Sequence, residues 1–151
     1  MKSITIQEVE RTAFVIAQKH LAFNEPIPDF STRFPDKLES CIAMPFMKYN
    51  GKYLYKGLAA QAAVLFYLLI KNHPFQNGNK RIAITTLLLF LNKNGKWLDS
   101  SDSDLYELTV WTARSLPIVK DSAIGGIETF IKKHIIDFKN GGKIHHPEKY
   151  E

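Results

Sequence analysis

Between two long apolar stretches lies His73-Pro74-Phe75-Gln76-Asn77-Gly78-Asn79-Lys80-Arg81, where an imidazole, amides, a glycine and two cations crowd together. An imidazole can take up a proton near neutral pH, so His73 is a candidate general base. Gly78 permits a tight backbone. The amide hydrogens around Asn77 to Arg81 would be the unpaired donors of a helix start, and Lys80 and Arg81 add positive charge beside them. Anionic phosphate is the natural ligand of such an arrangement. Phe75 reads as an apolar anchor that buries the loop. A plain structural role uses the same residues, with His73 and Asn77 capping helix ends, Gly78 making a turn and Lys80-Arg81 solvated.

Such a loop must be held between rigid elements. The stretches Leu58 to Lys71 and Lys80 to Asn92 are apolar on most faces, as core helices are, so the loop joins two buried helices. Upstream, Thr5 to Phe23 carries Val9, Ala13, Ile16, Ala17 and His20-Leu21 at helical spacing, with Thr5 and Glu8 placed as a capping box. Pro26, Pro28 and Pro35 impose extended or turn structure over Glu25 to Asp36, and a short helix from Pro35 to Met44 ends at Pro45. Lys48-Tyr49-Asn50-Gly51-Lys52-Tyr53 reads as a hairpin, because Asn and Gly both tolerate positive φ in a two-residue turn. It is the one β element expected, and alone it is marginal in water, so it must lean on the body or serve as a docking edge. Asn94-Gly95 stops the second core helix. Asp99 to Asp104 offers N-caps for a helix near Ser103 to Ser115, and a last helix spans Ala123 to Phe138 with Gly125-Gly126 as a weak point. The expected fold class is all-α, a helical bundle with a small β-hairpin.

Composition bounds the rest. With 151 residues the chain makes one compact domain, here residues 1–138, followed by a polar, basic and loosely ordered tail over 139–151. A single cysteine, Cys41, excludes an internal disulfide and a multi-thiolate zinc site, and it reads as a small buried hydrophobe in a reducing cytosol. Met1 to Glu10 lacks the apolar core of a signal peptide, and no apolar run reaches the roughly 18 residues of a membrane span, so a cytoplasmic location with no membrane partner is expected. Lys plus Arg number 20 against 15 Asp plus Glu, a difference of +5 that favours anionic partners without choosing among them. A basic nucleic-acid-binding regulator has no recognisable helix-turn-helix or aromatic platform here and leaves the His73 loop unexplained. His20 reads as a core histidine, His145-His146 as solvated tail, Lys132-Lys133 as a solvated helix face, and Trp97 and Trp111 as core.

The nonapeptide from His73 to Arg81 resembles the signature of the Fic/Doc family, HxFx(D/E)GNGRxxR in Fic proteins and HxFxD(A/G)NKR in Doc. The likeness extends to the helix running into Ile70-Lys71-Asn72-His73, to Phe90-Leu91-Asn92-Lys93-Asn94-Gly95, and to Leu38-Glu39-Ser40, and covers roughly Ile4 to Ile136. It implies an all-helical fold and transfer of part of ATP to a Ser, Thr or Tyr hydroxyl on a target protein, with magnesium as the metal. On that resemblance His73 is the base, Gly78, Asn79 and Lys80 hold phosphates through main-chain amides, and Arg81 pairs with a phosphate oxygen. The hairpin from Lys48 to Tyr53 is similar to the family's flap, which docks a target segment by strand addition.

Three departures refine this. AMP-transferring Fic proteins carry a glycine where Lys80 stands and a second arginine where Ile84 stands; Doc has the lysine, and with it goes an inverted nucleotide and transfer of the γ-phosphate. A Doc-like protein kinase is therefore favoured over AMP transfer. Asn77 replaces the acidic residue that holds the metal, so it is expected to be a weak magnesium ligand and activity to be slow or absent, which keeps a catalytically degenerate nucleotide binder in view. An inhibitory helix of pattern (S/T)xxxE(G/N) is not matched, since Leu108 follows Ser103 to Glu107. On the Doc resemblance, restraint would come from a separate antitoxin protein.

Overall fold

The computed structural model describes residues 1–20 and 26–138, without the side chain of His20. The first helix, α1, comprises Ile6–Glu8, a π-type segment Val9–Phe14 and Val15–His20. Its start is the capping box read from the sequence: the Thr5 hydroxyl accepts from Glu8 N at 3.2 Å and the Glu8 carboxylate accepts from Thr5 N at 3.0 Å. Burial pushes the Glu8 carboxyl up, yet hydrogen bonds from Lys93 and Thr5 more than offset this and hold it below its ordinary value. A π-type turn displaces carbonyls from their usual partners. Here the Thr85 hydroxyl reaches across from another helix and donates to Ala13 O at 2.8 Å.

Two long helices form the centre, α3 (Leu58–Lys71) and α4 (Asn79–Lys93). Leu65, Phe66, Leu69 and Ile70 of the first and Ile82, Leu87, Phe90 and Leu91 of the second are almost wholly buried. Around this pair stand α1, α2 (Pro35–Ala43), α5 (Asp102–Arg114) and α6 (Lys120–His134). Ser101 caps α5 by accepting from Asp104 N at 3.0 Å. At the other end of α5 the Lys71 ammonium donates to the carbonyls of Ala113 and Ser115, at 3.0 and 2.7 Å, which satisfies orphan acceptors and places positive charge at the negative helix end.

The hairpin is present as β1 (Lys48–Tyr49) and β2 (Lys52–Tyr53), with Lys48 opposite Tyr53 and Tyr49 opposite Lys52. Asn50 and Gly51 adopt φ of 51° and 75°, as a turn with two left-handed central residues requires. A second sheet corrects the expectation of a single β element. β3 (Lys96–Leu98) pairs antiparallel with β4 (Ile135–Asp137), so the last helix stops at His134 instead of running to Phe138. Strands this short and far apart in the chain leave no local pattern. The pairing is closed by Phe138 N donating to Gly95 O at 2.8 Å and by the Trp97 and Phe138 rings, 6.0 Å apart.

The other readings of the body divide. Trp97 is core, but Trp111 is 49% exposed: it lies over Gly126, where an added Cβ would stand 2.8 Å from its ring, and shows its other face to solvent. That close approach is the reason for a glycine inside α6, which continues through Gly125-Gly126 unbroken. Cys41 is fully buried and donates to Leu68 O at 3.4 Å. Lys132 pairs with Glu128 one turn earlier on an exposed face. No helix among the described residues is long and apolar enough to cross a membrane. The readings for the segment 21–25, the His20 side chain and the tail 139–151 lie outside the described residues.

Candidate active site

Helix α3 ends at Lys71, Asn72 closes its last turn, and His73 follows with φ of 48°. That left-handed conformation directly after a helix end belongs by default to glycine, and the residue before a proline is normally held to extended values. His73 breaks both preferences and is exposed. It holds this exposed position at a cost in backbone strain, the kind of outlier that folding alone does not select.

The rest of the loop is heavily braced. Phe75 is 4% exposed and sits in an aromatic triad, its ring 5.8 Å from Phe14 and 5.9 Å from Phe30, with Phe14 and Phe30 edge to face at 5.2 Å. The π-type segment thus matters to the site, since Phe14 is its last residue. Phe34 N donates to Pro74 O at 2.8 Å, and the Gln76 amide donates to Thr32 O at 3.2 Å. Asn79 closes the loop from within: its Oδ1 accepts from Phe75 N at 2.9 Å and its Nδ2 donates to Phe75 O at 2.8 Å. Its side chain is a clamp.

Gly78 begins α4 with φ of 80°, and a Cβ there would lie 2.7 Å from Ile27 Cγ1 and 2.8 Å from Ile27 Cδ1. Both the backbone conformation and the space require glycine. The helix start carries no side-chain cap. Gly78 N donates to Asn77 Oδ1 at 2.8 Å, and among the described residues the amides of Asn79 and Lys80 meet no acceptor at the positive end of a fifteen-residue helix. The Lys80 side chain is exposed and that of Arg81 half-buried, so charge flanks the opening.

The structure brings His73, Asn77, Gly78, Asn79, Lys80 and Arg81 together at one junction. Lys48, Tyr49, Asn50, Gly51, Lys52 and Tyr53 form a separate element, linked to the junction through residues 30–46, which brace the loop at one end and lead into β1 at the other. The braces Phe14, Ile27, Phe30 and Thr32 were not singled out in the sequence. Only Ile27, a lone aliphatic between Pro26 and Pro28, carried a visible signal, and its partner was not in it.

The donor set can be tested against a protein-held magnesium. Magnesium asks for oxygen ligands, usually one or two carboxylates. Asn77 presents a neutral amide oxygen already bonded to Gly78 N, and no cluster of three or more His, Cys, Asp or Glu exists among the described residues. These residues do not fit a metal held by the protein itself.

The sequence model of the Fic/DOC family matches residues 4–91, from the N-terminal helix through the second core helix. The fold and the loop define the same class, and the chain belongs to the Fic/Doc family, a family of transferases that move nucleotide-derived groups to proteins. No curated protein and no solved structure matches the chain.

Proposed function

We propose that the chain is a Doc-like protein phosphotransferase that moves the γ-phosphate of ATP to a hydroxyl of a target protein. The observation that carries this reading is the strained, exposed His73, held at a left-handed position before Pro74 in a loop that ends at an uncapped helix start. In the proposed step the target's Ser, Thr or Tyr hydroxyl gives its proton to the His73 imidazole as its oxygen attacks the γ-phosphorus. The bond from that phosphorus to the β-phosphate oxygen breaks, and ADP leaves. The amides of Asn79 and Lys80 and the charges of Lys80 and Arg81 stabilise the phosphate oxygens throughout, as a positioned helix start does. Magnesium enters, on this reading, as the ion that travels with ATP.

The γ-phosphate is favoured over AMP transfer by two positions. Lys80 stands where AMP-transferring members have glycine, and Ile84, 7% exposed, packs into the core where they have a second arginine. A separate antitoxin that restrains the enzyme, and a cytoplasmic setting, belong to the same Doc-like reading.

The test is intact-mass spectrometry of lysate proteins after incubation with ATP, magnesium and the purified chain. A gain of one phosphate on a target, lowered at least about a hundredfold by His73→Ala, is the expected result. A gain of AMP establishes adenylylation at the same site. No gain with either the natural chain or Asn77→Asp, in which the carboxylate is restored, leaves a nucleotide binder without transfer.

A further inference from the structure

Gln61 carries a polar side chain into surroundings that leave it unpaired. It is 1% exposed, and its Oε1 has no hydrogen-bond partner among the described residues. A buried carbonyl oxygen without a donor costs stability, and such groups are rare enough in folded proteins to call for a reason. Gln61 lines a cavity of about 390 Å³ together with Met1, Tyr53, Gly57, Leu58 and Asn94, a volume in the range of small-molecule sites. The cavity is remote from the His73 loop. Helix α3 begins at Leu58 and α4 ends at Lys93, so Gly57, Leu58 and Asn94 mark the opposite end of the core pair, about 20 Å away along α3.

Its walls are fixed by specific bonds. Asn94 Oδ1 accepts from Lys2 N at 2.7 Å, and Asn94 Nδ2 donates to the carbonyls of Lys2 and Phe90, both at 2.9 Å. Lys93 Nζ donates to Ser3 O at 2.7 Å, so the segment beside Met1 is pinned to the end of α4. Gly57 has φ of 92°, and a Cβ added there would meet nothing within 4 Å, so its bare main chain borders open space. No side chain caps the start of α3, and among the described residues the amides of Leu58 and Ala59 meet no acceptor. An anion suits that end. The surrounding charge agrees: no acid lines the cavity, every charged side chain from Ser40 to Leu98 is basic, and Lys48 Nζ lies 4.8 Å from the Tyr53 ring centroid. Oε1 of Gln61, nearly one turn further along the same helix, asks for an N–H or O–H donor. Tyr53, Leu58 and Met1 add apolar surface for the body of a ligand.

We infer that this cavity binds a small aromatic acid, which donates an N–H to Gln61 Oε1 and presents its carboxylate to the start of α3. The two groups it must reach are about one helical turn apart, a span that one or two fused rings cover. A cation finds no partner there, and a plain hydrocarbon leaves Gln61 Oε1 unpaired. The site is separate from the nucleotide loop and stands independently of the transferase reading.

The test is isothermal titration calorimetry of the full chain with three probes. Indole-3-acetate has the ring N–H and the carboxylate, 1-naphthaleneacetate has a similar shape without the N–H, and indole-3-acetamide lacks the charge. Indole-3-acetate is expected to bind at least about tenfold more tightly than 1-naphthaleneacetate and about threefold more tightly than indole-3-acetamide. Gln61→Leu, whose folding thermal unfolding verifies, should bind indole-3-acetate and 1-naphthaleneacetate alike. Tyr53→Ala, which shortens the wall and leaves Gln61 in place, should weaken indole-3-acetate about tenfold. Saturating ATP should leave the binding unchanged, since the loop is at the other end of α3. Equal binding of 1-naphthaleneacetate to the natural chain, a preference that survives Gln61→Leu, or displacement by ATP overturns the inference. No binding of any probe at about 5 mM overturns it too, and leaves water as the partner of Gln61.

Discussion

His73 occupies a backbone position that glycine would fill with less strain. A non-glycine residue in the left-handed region costs on the order of 1 kcal/mol, and the following proline narrows the choices further. His73→Gly should therefore raise the stability of the chain by about 0.5 to 1 kcal/mol, seen as a rise of a few degrees in the unfolding temperature, while transfer is lost. A fall in stability would mean that the imidazole is held by contacts that outweigh the strain. Cys41 illustrates the opposite case, a reactive group type made inert by its surroundings. Burial pushes the thiol up from 9.0 to about 11, against the smaller opposing effect of the Asn72 amide. Because the folded value lies above the unfolded one, the buried thiol's contribution to stability is complete below about pH 9 and disappears as pH rises through about 11. Urea midpoints followed across that window should fall more steeply for the natural chain than for Cys41→Ala; parallel curves would show that the thiol ionises freely.

The loop from His73 to Asn79 has little regular structure of its own, so its shape is the work of neighbours. Phe14 and Phe30 fix Phe75, Phe34 N fixes Pro74 O, and Ile27 presses on Gly78 where a Cβ would stand 2.7 Å away. Gly78→Ala should accordingly destabilise by about 1 to 3 kcal/mol, part from positive φ and part from overlap with Ile27. Only the second part can be relieved by shortening the neighbour. In a double-mutant cycle with Ile27→Ala, chemical denaturation should give a favourable coupling of about 1 kcal/mol. A coupling of zero would show that the Ile27 side chain swings aside and that the strain is all backbone. The loop's chemistry was legible in its residues, because imidazole, glycine and cations at a helix start announce themselves locally. Its bracing was not, since Ile27 and Phe30 lie more than forty residues upstream and nothing in their immediate neighbours marks them.

At the scale of the whole molecule, the chain is closed by the pairing of β3 with β4, which ties the end of α6 to the turn after α4. Shortening the chain to end at His134 removes three strand pairs, the Phe138 N to Gly95 O bond and the Trp97–Phe138 ring contact. The shortened chain should keep its helical circular dichroism and unfold several degrees lower, at about 2 to 4 °C per kcal/mol lost. An unchanged unfolding temperature would make the second sheet an ornament of the fold. That sheet, and the half-exposed Trp111 over Gly126, mark where reading by local pattern stopped. Periodicity located the core helices, the capping box of α1 and the Asn50-Gly51 turn, because each is decided by neighbours within a few residues, through helical spacing, cap geometry or permitted φ. The sequence alone also determined the family signature and the replacement of an acid by Asn77. Only the tertiary structure decided that His73 is strained, that Asn77 turns its oxygen to Gly78 N, that Asn79 clamps Phe75, and that residues 96–98 meet residues 135–137. Each of those depends on which distant side chain fills the adjoining space, and that is settled by close packing of the whole chain.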